Sequence, residues 1–207
     1  NSGYDFVYVC SKAAAPGGAY AGYVNTTTVM HFDDKDWYLI EDNSTAADAG
    51  TVTLLSKECV GASKFDSNGQ SNIYSGSTVE GVVNNYYTNS ISTDAKTAVS
   101  GNGMFLLTID QANAIKTANV DVLKCSQATG ADFNSWWLCS PSDYATTGSC
   151  VSGDNGDVYV NGTYVGDPIG VRPALQLDLS KVTFDSATYT FALPAPSAYA
   201  GYVPAAT

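Results

Sequence analysis

GSCVSGDNGDVYVNGTYVGD, residues 148–167, is the stretch whose reading decides the class of fold. It holds two Asn-Gly pairs, at 155–156 and 161–162. The second stands between DVYV and TYVG. Asn-Gly flanked by alternating apolar residues is a strong hairpin signal, because a two-residue turn needs positive φ at both of its positions. Counting outward from Asn161-Gly162 pairs Val160 with Thr163, Tyr159 with Tyr164 and Val158 with Val165. Val158, Val160, Thr163 and Val165 then share one face, and Asp157, Tyr159 and Tyr164 the other. GVRPALQLDL (170–179) follows as one more alternating strand.

Upstream, DWYLI (36–40) and TVTLLSK (51–57) read as strands joined by a polar loop, EDNSTAADAG. SGSTVEGVVNNYY (75–87) reads as a helix. Ser77 is its N-cap, Glu80 completes a capping box, and Val79, Val82, Val83, Tyr86 and Tyr87 fall on one face. A second helix opens alike, with Thr108 as cap, Gln111 three residues on, and Ile109, Ala112 and Ile115 as the apolar face. The pattern predicts an α+β domain of mixed, mostly antiparallel sheets with two short helices and a long turn-rich region. Its limits fall at 30–185. Residues 1–29 form an N-terminal strand (YDFVYVC, 4–10) and a Gly/Ala/Thr-rich extension, and 186–207 a Pro/Ala-rich tail. AYAGYV occurs at 19–24 and again at 198–203. It is either a coincidence between two Ala/Tyr-rich linkers or a pair of β-edge segments that dock on this subunit or a neighbour.

Across 207 residues, 9 Lys+Arg against 20 Asp+Glu give a formal charge of −11. That balance argues against nucleic acid or an anionic membrane surface as partner, since each needs a basic face. No apolar run approaches the ~18 residues of a membrane span, so no membrane insertion is expected. Charged residues make up 14% of the chain, and polarity is carried by Ser, Thr and Asn, which suits an extracellular or cell-surface setting. The chain opens at Asn1 without Met, as a processed form would.

Chemistry finds few carriers. Zinc sites need at least one close cysteine pair, and the nearest here, Cys139 and Cys150, are eleven apart. The five cysteines are either buried thiols or include one or two disulfides, with Cys139–Cys150 closing a loop. His31 is the only imidazole, in an acidic loop with Asp33, Asp34 and Asp36. Asp154, Asn155, Asp157 and Asp167 offer oxygens of the kind Ca²⁺ takes, yet Asp-Asn-Gly-Asp at 154–157 is also an ordinary tight turn. No catalytic residue, metal or cofactor is assigned, and no enzyme is expected.

NSWWLCSP (134–141), the turn-rich stretch after it and GVRPALQLDL resemble a large bacterial family with a C-type-lectin-like fold. Its members typically read Trp-Trp-Leu-Arg-Ser-Pro, a variable run, then a Val-Arg-Pro-Ala-Leu strand. DWYLI, TVTLLSK and MFLLTIDQA (104–112) continue the match in order, so that it covers about 30–185. Related folds occur in sulfatase-modifying (formylglycine-generating) enzymes and in variable proteins of diversity-generating retroelements. In the latter a hypervariable ligand-binding face is displayed on a fixed scaffold. One departure stands out: Cys139 takes the place of the family's Arg, leaving Arg172 as the only guanidinium. The network that Arg supports is therefore absent or replaced by a Cys139 disulfide.

The resemblance implies a ligand-binding surface at 140–168, drawn from Asp143, Tyr144, Thr146, Thr147, Asn155, Asp157, Tyr159, Asn161 and Tyr164. Binding loops use this mixture because Tyr adds contact area with few rotors to freeze. An ordinary solvated loop over a Tyr–Tyr pair is the plainer alternative. Trp136 and Trp137 point to opposite faces of a strand, one into the core and the other, Trp137, flooring the surface. The expected function is an adhesin or receptor-binding protein whose partner is a protein or glycan on another cell surface. The alternative is a structural subunit of a surface filament or phage particle, a homo-oligomer assembled through its ends.

Overall fold

The computed structural model describes residues 18–194; the expected strand at 4–10 and the second AYAGYV lie outside them. A 3₁₀ turn, Ala21–Tyr23, comes first, followed by β1 (Met30–Phe32), β2 (Lys35–Ala46), β3 (Ala49–Ser56) and β4 (Gly61–Ser63). Then come α1 (Thr78–Ser90), the one-turn α2 (Thr93–Lys96), β5 (Val99–Phe105) and α3 (Ile109–Asn119). The last third is β6 (Ser135–Pro141), β7 (Thr147–Ser152), β8 (Val158–Tyr164), β9 (Ile169–Val171), β10 (Ala174–Asp178), β11 (Thr183–Asp185) and β12 (Thr190–Ala192). The fold is α+β with two mixed, mostly antiparallel sheets. The seven-stranded one runs β11-β12-β1-β2-β3-β10-β5, with β1 parallel to β12. The five-stranded one runs β4-β9-β6-β7-β8, with β6 parallel to β9.

DWYLI and TVTLLSK are strands, but the polar stretch between them is mostly strand too. β2 continues to Ala46 and pairs with β3 as far as Ala46↔Ala49. Their short apolar runs reflect burial on both faces, which removes the usual polar alternation. Trp37, Leu39, Val52 and Leu54 enter one hydrophobic cluster with Val79 and Val83 of α1. Ile40 and Leu55 enter another with Ala112 and Ile115 of α3.

Local signals place both helices. Ser77 caps α1 by accepting from Glu80 N at 3.1 Å. The capping box is displaced by one residue, however. Ser77 N–H is taken by Tyr74 O, so the Glu80 carboxylate accepts from Gly76 N instead. At α3 the box is complete: Thr108 Oγ1 accepts from Gln111 N at 3.2 Å, and Gln111 Oε1 from Thr108 N at 3.0 Å.

GVRPALQLDL is two strands, not one. Arg172-Pro173 breaks it, so that β9 belongs to the five-stranded sheet and β10 to the seven-stranded one. Proline has no N–H for a ladder, which favours the crossing there. The domain also reaches past 30–185. Residues 190–192 form β12 beside β1, and Tyr20 is buried against Phe184 and Phe191. The first AYAGYV is thus a 3₁₀ turn packed on its own chain rather than a β-edge.

Candidate functional site

The stretch that decided the fold class turns at its other Asn-Gly pair. β7 and β8 form an antiparallel hairpin through Asp154-Asn155-Gly156, where Gly156 has φ of 74°. Ser152 N donates to Asp157 O, and Gly156 N to Ser152 O, both at 2.9 Å. Asn155 closes the turn as well, its Oδ1 accepting from Asp157 N at 2.9 Å.

Asn161-Gly162 lies inside β8, in a bulge. Gly148 pairs with Thr163 and Cys150 with Tyr159, so β7 advances from 148 to 150 while β8 runs from 159 to 163. Gly162 is glycine for space rather than for φ: a Cβ there would collide with Cys150 Sγ. The expected pairing of Tyr159 with Tyr164 is therefore replaced by Tyr159↔Cys150 and Tyr164↔Thr147. Val160, expected on the core face, is exposed with its neighbours. A regular half-buried strand alternates; here 159–162 are exposed in succession, on the outermost strand of the sheet.

A fixed loop stands beside this bulge. Asp143 and Asn161 bond reciprocally, Asp143 N donating to Asn161 Oδ1 at 2.9 Å and Asn161 Nδ2 to Asp143 Oδ2 at 2.8 Å. The Ser142 hydroxyl donates to Thr147 O at 2.6 Å, and Val165 N to Thr146 O at 3.0 Å. Beneath them the buried Asn72 amide donates to the carbonyls of Ser142 and Tyr144, both at 3.0 Å. A buried amide needs such partners, and in finding them it fixes the loop. Nothing in DSNGQSNIY (66–74) marks Asn72 for this role, because its partners lie about seventy residues on.

On this frame Tyr144 is 64% exposed, Tyr164 46%, Tyr159 45% and Val160 43%. Tyr164 is braced: a Cβ at Gly69 would strike its hydroxyl, and one at Gly166 its ring. Asp143, Tyr144, Thr146, Thr147, Asn161 and Tyr164 thus gather at the bulge. Asn155 and Asp157 sit apart, at the hairpin turn, where Asp157 holds Lys116 of α3 at 2.7 Å. Asp154 Oδ1 accepts from Asn134 Nδ2 at 2.8 Å. Among the described residues no three His, Cys, Asp or Glu side chains form a metal-ligating group.

Trp137 does not floor this surface. It points away from Trp136, as adjacent strand residues do, but both faces are covered and both rings are fully buried. Trp137 Nε1 donates to Ser63 O at 2.8 Å and Trp136 Nε1 to Leu123 O at 3.2 Å. Cys139 and Cys150 are free thiols, not a disulfide. Burial pushes Cys139 up to about 11 and Cys150 to about 12. His31 pairs across the strands with Asp36, Nδ1 to Oδ1 at 3.0 Å. No helix among the described residues is long and apolar enough to cross a membrane.

Compared with protein-family models, with curated proteins and with solved structures, the chain finds no match.

Proposed function

We propose that this chain is an extracellular or surface-displayed ligand-binding module of C-type-lectin-like fold and not an enzyme. Its ligand, a protein or a glycan, docks on the face made by Asp143, Tyr144, Tyr159, Val160, Asn161 and Tyr164. The observation that carries this reading is the set of three exposed tyrosines on a loop and edge strand locked by Asn72, Ser142 and the Asp143–Asn161 pair. Aromatic area held in place before binding loses little entropy on contact, so affinity comes from stacking and from the Asn and Asp hydrogen bonds. The sparse charge and the sequence resemblance support the same assignment. A structural-subunit role gains nothing from residues 19–24, whose Tyr20 packs inside this chain.

The test is saturable binding of the purified chain to an array of glycans and immobilised cell-surface proteins, with light scattering alongside. The expected result is a monomer with at least one saturable hit. A chain that self-assembles and binds nothing on the array contradicts the proposal and favours the structural subunit.

A further inference from the structure

Cys59 and Cys125 are 66 residues apart in sequence, yet their Sγ atoms lie 3.7 Å from each other. Both are half-buried free thiols, in the connections that follow β3 and α3. The backbone on either side is pinned. Arg172, fully buried, donates from Nε to Ser56 O at 2.8 Å and from Nη2 to Lys57 O at 2.9 Å. The same guanidinium reaches Leu123 O at 2.9 Å and Val122 O at 3.0 Å, so it clamps the two segments that lead into the two cysteines. Glu58 Oε2 adds a tie by accepting from Ser126 N at 2.8 Å. Cys125 N donates to Gly153 O at 3.1 Å. Gly170 leaves room for Cys59, since a Cβ there would press on its sulfur.

Arg172 bonds to four main-chain carbonyls rather than to a carboxylate. Its charge is therefore available to a thiolate nearby, which a buried cation favours. The hydrogen bond from the Cys59 thiol, with Arg172 adding to it, holds Cys125 below the usual thiol range. Donating that bond and being buried push Cys59 up.

We propose that Cys59 and Cys125 form a thiol–disulfide exchange site that closes to an intramolecular disulfide on meeting a small-molecule disulfide. The Cys125 thiolate attacks one sulfur of the small disulfide RSSR. A Cys125–SR bond forms and RS⁻ leaves. Cys59 gives its proton to that thiolate, and its sulfur then attacks Cys125 Sγ, displacing the second RS⁻, which takes a proton from solvent. The two cysteine sulfurs are oxidised to the disulfide, and RSSR is reduced to two thiols. Rotation of the side chains closes 3.7 Å toward the bonded length of about 2.05 Å. The bond ties the connection after β3 of one sheet to the one that leads into β6 of the other.

The experiment incubates the intact chain with glutathione disulfide, quenches with an alkylating agent and maps the peptides. The expected product is a Cys59–Cys125 linkage with two glutathione thiols released per chain. Its melting temperature rises by an amount on the order of 10 °C, from closing so long a loop. In Cys59→Ser the reaction should stop at glutathione on Cys125. Free alkylated Cys59 and Cys125, separate glutathione adducts on each in the wild type, or linkage of either to another cysteine would each overturn the proposal.

Discussion

Arg172 shows how far a single residue can be read. The sequence marks it as the only arginine, and the resemblance marks its Val-Arg-Pro setting, but neither says what it holds. It bridges the carbonyls of Ser56 and Lys57 to those of Val122 and Leu123, under the rings of Tyr38 and Trp136. Arg172→Met keeps much of the volume and takes the guanidinium from four carbonyls, of which Leu123 O keeps the Trp136 indole as donor. We expect a loss of about 2–5 kcal/mol in urea unfolding, since a buried acceptor left without its donor costs about 1–3 kcal/mol. A loss under about 1 kcal/mol would mean that water replaces the guanidinium. Trp137 is the opposite case. Its direction was legible, because adjacent strand residues diverge. Its burial was not, because one strand's pattern does not reveal that both faces of its sheet are covered.

At the scale of elements, what was legible was local. Ser77 and Thr108 cap their helices because each cap's partner lies three residues away. The hairpin was legible only in kind. Two Asn-Gly pairs compete for one turn, and distant contacts choose between them. Gly156 faces Val120 and Leu123, beyond the end of α3, whereas Gly162 sits against Cys150 of β7. The two glycines thus serve different ends. Gly156→Ala should cost about 1–3 kcal/mol, from a side chain at φ of 74° and contact with Val120. Denaturant midpoints check this, and a neutral substitution would contradict the placement of the turn. The strand split at Arg172-Pro173 escaped for a similar reason. An alternating apolar run reads as one strand unless the second sheet that receives its first half is known.

For the whole molecule, two-sided burial has a cost that appears in alkali. Cys139 and Cys150 rise from 9.0 to about 11 and about 12 in the folded chain, through burial. The unfolded chain then releases these protons first, so the stability they confer is complete below pH 9 and falls as pH climbs toward the folded values. Each thiol contributes a decline of up to about 1.4 kcal/mol per pH unit in that window. Urea midpoints between pH 8 and pH 11 should fall more gently in Cys139→Ala/Cys150→Ala than in the wild type. Equal slopes would show that these thiols are not desolvated. Among the described residues, the bulge of β8 and its loop carry the three most exposed aromatic rings, those of Tyr144, Tyr164 and Tyr159. Tyr164 is braced on Gly69, so Tyr144 and Tyr159 are the cleaner probes. The decisive measurement titrates Tyr144→Ala/Tyr159→Ala against the array ligand bound by the wild type, with melting curves recorded in parallel. Binding should fall by at least tenfold with a melting temperature within about 3 °C of wild type, as for surface substitutions. Undiminished binding by a folded variant would contradict it.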